Sequence, residues 1–147
     1  MSISASIDII LKKFSSLTAV CVINTLLENG WKMEKENKVS FLPLNDNGMY
    51  EWKNENIQKY DLIQIIEQKE IEKEVIGLVF YWKDTNIGIS MLIFSCNEIS
   101  FNLNINRIKL ELDTHADITD VSWYLKRIMP CFSFDEIILE KLFFNQD

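Results

Sequence analysis

Between Glu98 and Asn106 the chain alternates without a break: Ile99, Phe101, Leu103 and Ile105 are interleaved with Glu98, Ser100, Asn102, Asn104 and Asn106. A period of two is the side-chain repeat of a strand, so one set faces a core and the other lies on the opposite face. Two apolar runs precede it, Val75–Trp82 and Ile87–Phe94, joined by the polar turn Lys83-Asp84-Thr85-Asn86. Runs of this length around a short polar turn predict paired antiparallel strands. Ile108, Leu110 and Leu112 continue with shifted parity, which predicts a bulge or strand break near Asn106-Arg107.

Outside this centre the apolar spacing is helical. Ile7, Ile10, Leu11 and Phe14 recur at i, i+3, i+4, i+7 and predict a helix capped by Ser4 or Ser6. After Ser15-Ser16 a second helix carries Ala19, Val22, Ile23, Leu26 and Leu27 and ends at Asn29-Gly30. Val39–Leu42 and Met49–Trp52 predict a hairpin around Asn45-Asp46-Asn47-Gly48. A central helix follows with Ile57, Tyr60, Ile63 and Ile66. Asp117 or Thr119 caps a further helix with the stripe Val121, Leu125 and Ile128, stopped by Pro130. Ser133-Phe134-Asp135-Glu136 fits a capping box, stapled by Phe132 and Ile137, for a last helix from Phe134 to near Phe144. The expected fold class is α+β: a mostly antiparallel sheet of about five strands, with N-terminal helices, a central helix and C-terminal helices packed on one face. With 147 residues, 48% of them hydrophobic and only 4 Gly and 2 Pro, residues 1–147 are expected to form one domain with short connections.

Charge and motif content narrow the chemistry. Fifteen basic residues against 22 acidic ones give a net charge of −7, a field that repels nucleic acid and anionic membrane and steers in a basic partner, though it also serves solubility. Cys21, Cys96 and Cys131 are odd in number and widely spaced, which predicts reduced thiols and a cytoplasmic location. Met1–Leu11 has no basic leader pattern, and no apolar run reaches the roughly 20 residues of a spanning helix, so neither export nor membrane insertion is expected. His115, the only histidine, lies in the polar stretch Asp113–Asp117 without a nucleophile signature, as a loop residue more than a base. Neither GxGxxG nor GxxxxGK[ST] occurs, and no thiol pair suits zinc, so no cofactor and no metal are expected.

Two features rise above a generic core. The face carrying Glu98, Ser100, Asn102, Asn104 and Asn106 is rich in short hydrogen-bonding side chains, which suits either a recognition surface or a satisfied polar network. Trp82, Trp123 and Tyr124 are suited to a core and to interface anchoring alike.

The runs Val75–Phe94, Glu98–Arg107 and Asp117–Pro130 resemble a pattern in small bacterial immunity proteins encoded beside the polymorphic toxins of contact-dependent growth inhibition systems. The likeness covers mainly residues 75–130; Leu26–Trp31 and Phe41–Trp52 fit more loosely. The resemblance implies a non-enzymatic protein that stays in the toxin-producing cell and neutralises a cognate effector domain, often a basic nuclease, by covering its active site or substrate entry. Asp84, Glu98, Asn102, Asn104 and Trp123 are then the interface candidates, with Glu67, Glu70, Glu72 and Glu74 as a second acidic patch. The rival expectations are a small hydrolase using Asp117 and Asp120 with His115, and an acidic adaptor or nucleic-acid mimic.

Overall fold

The computed structural model describes residues 3–12, 17–95, 97–133 and 137–147. The strands are β1 (Ala5–Leu11), β2 (Trp31–Lys32), β3 (Glu34–Lys35), β4 (Lys38–Phe41), β5 (Lys53–Glu55), β6 (Ile76–Trp82), β7 (Gly88–Ser95), β8 (Glu98–Ile105) and β9 (Leu139–Gln146). They form one nine-stranded sheet in the order β3-β4-β6-β7-β8-β1-β9, with β2 against β6 and β5 against β4, and each pairing is antiparallel. The helices are α1 (Ala19–Glu28), α2 (Lys59–Ile71) and α3 (Val121–Ile128), the last running into a 3-10 turn at Met129–Phe132.

Antiparallel partners share a face, so the register lays out the core in rows. Leu78, Met91, Phe101, Ile7 and Phe144 form one row; Ile76, Ile93, Ile99, Ile9 and Leu142 form the next. Ala19, Val22, Ile23 and Leu26 of α1, Leu62 and Ile66 of α2, and Tyr124 and Ile128 of α3 join these strand residues in a single buried cluster. The helices therefore cover one face of the sheet. Among the described residues no helix is long and apolar enough to cross a membrane.

The expectation of about five strands between terminal helices is overturned by these nine strands. Residues 5–11, expected in a helix, are β1, at the centre of the eventual ladder between β8 and β9. Ala5-Ser6-Ile7-Asp8-Ile9-Ile10-Leu11 satisfies a period of two as well as a helical one, and its β-branched isoleucines favour the pleated alternative once strand partners exist. The helix expected from Phe134 to near Phe144 is replaced over its second half by β9, Leu139–Gln146, paired along β1 from Ala5–Gln146 to Leu11–Leu139. That pairing satisfies a β1 edge that would otherwise be left without hydrogen bonds, a non-local demand that local spacing does not register. The proposed capping box at 133–136, the end of the first expected helix at Phe14, the break at Ser15-Ser16 and Cys96 lie wholly or partly outside the described residues.

Smaller corrections have local causes. The break expected near Asn106-Arg107 is there, since β8 ends at Ile105 and Asn106 turns left-handed (φ 52°), but the stretch after it is a loop and not a continued strand, holding one bridge, Lys109–Thr119, with Leu110 and Leu112 exposed. The hairpin after β4 closes on Lys53–Glu55 rather than on Met49–Trp52. The Asp46 carboxylate accepts from the Tyr50 and Glu51 amides and curls the intervening chain into a loop instead. In α2 the buried stripe is Leu62, Ile66 and Lys69, rotated away from Tyr60, which is exposed. Asp120, not Asp117 or Thr119, caps α3 by accepting from the Trp123 amide.

Candidate functional site

Among the described residues the second face of the sheet carries no helix, and the same register lays out its rows. Val79, Ser90, Asn102, Ser6 and Asn145 cross β6, β7, β8, β1 and β9 in line. Beside them run Gly77, Leu92, Ser100, Asp8 and Phe143, then Glu98, Ile10 and Lys141. Local sequence explains the composition best in β8 and in Ser6–Ile9 of β1, which alternate large apolar residues inward with small or polar ones outward, while β6, β7 and β9 also turn Val79, Leu92 and Phe143 to this face. At the β6 end this face is closed: a Cβ on Gly77 would stand 2.7 Å from Leu42 and 2.8 Å from Trp52, which lie over it. From β7 to β9 it is open, with Ser90, Leu92, Ser100, Asn102, Ser6 and Asp8 half-buried and Phe143 exposed. The result is a shallow platform of hydroxyls, amides and the Asp8 carboxylate, with Leu92 on its β7 side and Phe143 on its β9 side. It suits a flat protein surface better than a small molecule.

Of the nominated residues, Glu98 and Asn102 stand on this platform, with Asn104 at its end. The asparagines serve both roles left open by the sequence. The Asn104 side chain accepts from the Ala5 amide at 3.0 Å, and the Asn102 side chain accepts from the Asn104 amide at 3.0 Å, while Asn102 also sits in the open row. Ser6, Asp8, Asn145 and Phe143 belong to the same face and were missed because their segments read as helices; the alternation of Ser6 and Asp8 with Ile7 and Ile9 was the available signal.

Asp84 and Trp123 lie elsewhere. Asp84 is in the β6–β7 turn, where the Lys32 ammonium donates to it at 2.6 Å and, together with its charge, holds the carboxyl below the usual aspartate range. Trp123 belongs to an edge-to-face cluster with Trp31 and Trp82, at ring separations of 6.5 and 6.3 Å. The Arg127 guanidinium stacks 4.1 Å from the Trp123 ring, and the Trp31 indole donates to the Arg127 carbonyl. The cluster fastens α3 to β2 and β6, so Trp123 is first a packing residue.

The acidic patch divides. Glu67 and Glu72 are exposed, but Glu70 accepts from the Ala19 amide at the start of α1, and Glu74 is tied to Lys69. Lys69 is fully buried: its ammonium donates to the Pro43 carbonyl at 2.7 Å and to Glu74 at 3.2 Å, and the same Glu74 oxygen accepts from the Asn45 amide. Burial works to raise the Glu74 carboxyl, but the hydrogen bond and charge of Lys69, with a further hydrogen bond from the Asn45 amide, leave it below its ordinary value.

The residues of the hydrolase alternative are dispersed among structural duties. Asp117 pairs with Arg107, whose second nitrogen donates to Thr119, and Asp120 caps α3. His115 is exposed in a loop whose own residues, Lys109–Asp117, enclose a shallow concavity of about 680 Å³. Burial pushes the Cys131 thiol up to about 12, so it stays protonated and inert at neutral pH. Among the described residues no group of three or more His, Cys, Asp or Glu side chains is placed to hold a metal ion.

No protein-family model matches the chain, no curated protein matches it, and no solved structure matches its fold.

Proposed function

We propose that this chain is an immunity protein that binds and neutralises a cognate toxin effector domain, a basic nuclease domain, in the cytoplasm of the producing cell. The observation that carries the reading is the sheet face between β7 and β9, which no helix among the described residues covers: a hydrogen-bonding platform flanked by Leu92 and Phe143, with Glu98 at its margin. The sequence resemblance and the net charge of −7 support it, since an acidic inhibitor is drawn to a basic nuclease and competes with its polyanionic substrate. Affinity on this reading comes from the platform, and the charge acts mainly on the association rate.

The test is co-expression with the effector domain encoded by the adjacent upstream reading frame. Growth should be rescued and a stoichiometric complex recovered. Asn102→Arg and Ser100→Arg, each checked for native circular dichroism, should abolish both. Failure to form a complex together with failure to rescue growth would remove the reading.

A further inference from the structure

The two edges of the sheet are built differently. One ends in β5, a strand of three residues, Lys53, Asn54 and Glu55, paired along the side of β4 away from β6. Short charged strands are the usual protection against unwanted strand pairing. The other edge is β9, eight residues without Pro or Gly, with Leu139, Leu142 and Phe143 at 40%, 37% and 47% exposure. Among the described residues its one strand neighbour is β1. Ser4 and Asp147 exchange both backbone hydrogen bonds, so by alternation Asn145 and Phe143 also bond towards β1. Leu142, Phe144 and Gln146 therefore aim their amides and carbonyls outward.

We propose that this edge docks a second copy of the chain, two β9 strands pairing antiparallel about a twofold axis centred on Phe143 to make one continuous sheet. The choice of occupant rests on self-complementarity. A twofold normal to the sheet places residues of equal parity opposite each other, so each possible register is centred on one residue. Centring on Glu140 or Lys141 sets like charges face to face. Centring on Leu142 puts Lys141 opposite Phe143 and Glu140 opposite Phe144. Centring on Phe143 pairs Phe143 with itself, Leu142 with Phe144, Lys141 with Asn145 and Glu140 with Gln146; only the terminal pair, Leu139 with Asp147, is mismatched. This register uses the whole of β9, joins the outward groups of Leu142 and Phe144, and sets the two exposed Phe143 rings side by side across the axis. The charge of −7 on each copy opposes association, so the dimer should tighten as salt screens that repulsion.

The proposal does not depend on the immunity reading, and its readout is mass. Sedimentation velocity should show the 17.3 kDa chain passing to twice that mass with rising concentration, more readily at high salt. Phe143→Lys should remain monomeric. Phe143 makes its own backbone bonds to β1, so across the axis it forms a non-hydrogen-bonded pair, with Cα atoms about 4.5 Å apart, close enough for a disulfide. Phe143→Cys, oxidised with copper–phenanthroline, should cross-link to a dimer at least tenfold faster than Leu142→Cys or the wild type. A wild-type chain that stays monomeric to about 1 mM, or preferential cross-linking through Leu142→Cys, would overturn the proposal.

Discussion

Replacing Lys69 by methionine tests whether a buried ammonium holds the 43–52 loop to the end of α2. Methionine keeps the unbranched stem and its helix propensity, so the loss is confined to the head group. The ammonium makes two charge-assisted bonds, to the Pro43 carbonyl and to Glu74, and it is fully buried. Removing one member of a fully buried ion pair costs about 3–5 kcal/mol, because the partner is left uncompensated. Here the Glu74 side chain retains 18% exposure and can be partly rehydrated, which brings the expected cost down to about 2–4 kcal/mol. With a urea m-value of about 2 kcal/mol/M, the unfolding midpoint should fall by roughly 1–2 M.

Lys69→Met/Glu74→Gln removes the stranded charge while leaving an oxygen for the Asn45 amide, so the double variant should be more stable than the sum of the two single losses by at least about 1 kcal/mol. A midpoint shift below about 0.3 M for Lys69→Met, or strict additivity in the double variant, would refute the assignment of Lys69 as the anchor of that loop.

The same pair sets an acid limit. The folded Glu74 carboxyl lies below its ordinary 4.5, so its contribution is complete above that value and is lost as pH falls through the lowered one. The gap in urea midpoint between wild type and Glu74→Gln should therefore close on acidification, as read from unfolding curves between neutral pH and pH about 3. Gly77→Ala should destabilise by about 1–3 kcal/mol, since the added methyl meets both Leu42 and Trp52; thermal melts should show a midpoint lowered by several degrees. Cys131, with its thiol raised to about 12, should resist iodoacetamide at pH about 8 in the native chain and react on unfolding in urea, as followed by peptide mass mapping.

What the sequence made legible was whatever a single segment decides alone. The alternation from Glu98 to Ile105 places Ile99, Phe101 and Leu103 in the core, and the helical spacing of Ala19, Val22, Ile23 and Leu26 is the buried stripe of α1. What it hid was decided between distant segments. β1 and β9 each carry apolar residues that fit both periods, and the choice is made by a pairing across the chain, Ile7 with Phe144 and Ile9 with Leu142. With both segments taken as helices, Ser6, Asp8, Phe143 and Asn145 could not be recognised as one surface with Asn102, because a shared face exists only once the register is known. Lys69 was hidden in the same way. Within Glu67–Glu74 it reads as one more solvated charge, and its burial follows only from the return of Pro43 and Asn45 over the end of α2. The platform, the exposed β9 edge and the Lys69 anchor are thus products of non-local pairing, so variants at Ser100, Asn102, Phe143 and Lys69 test the topology along with any function built on it.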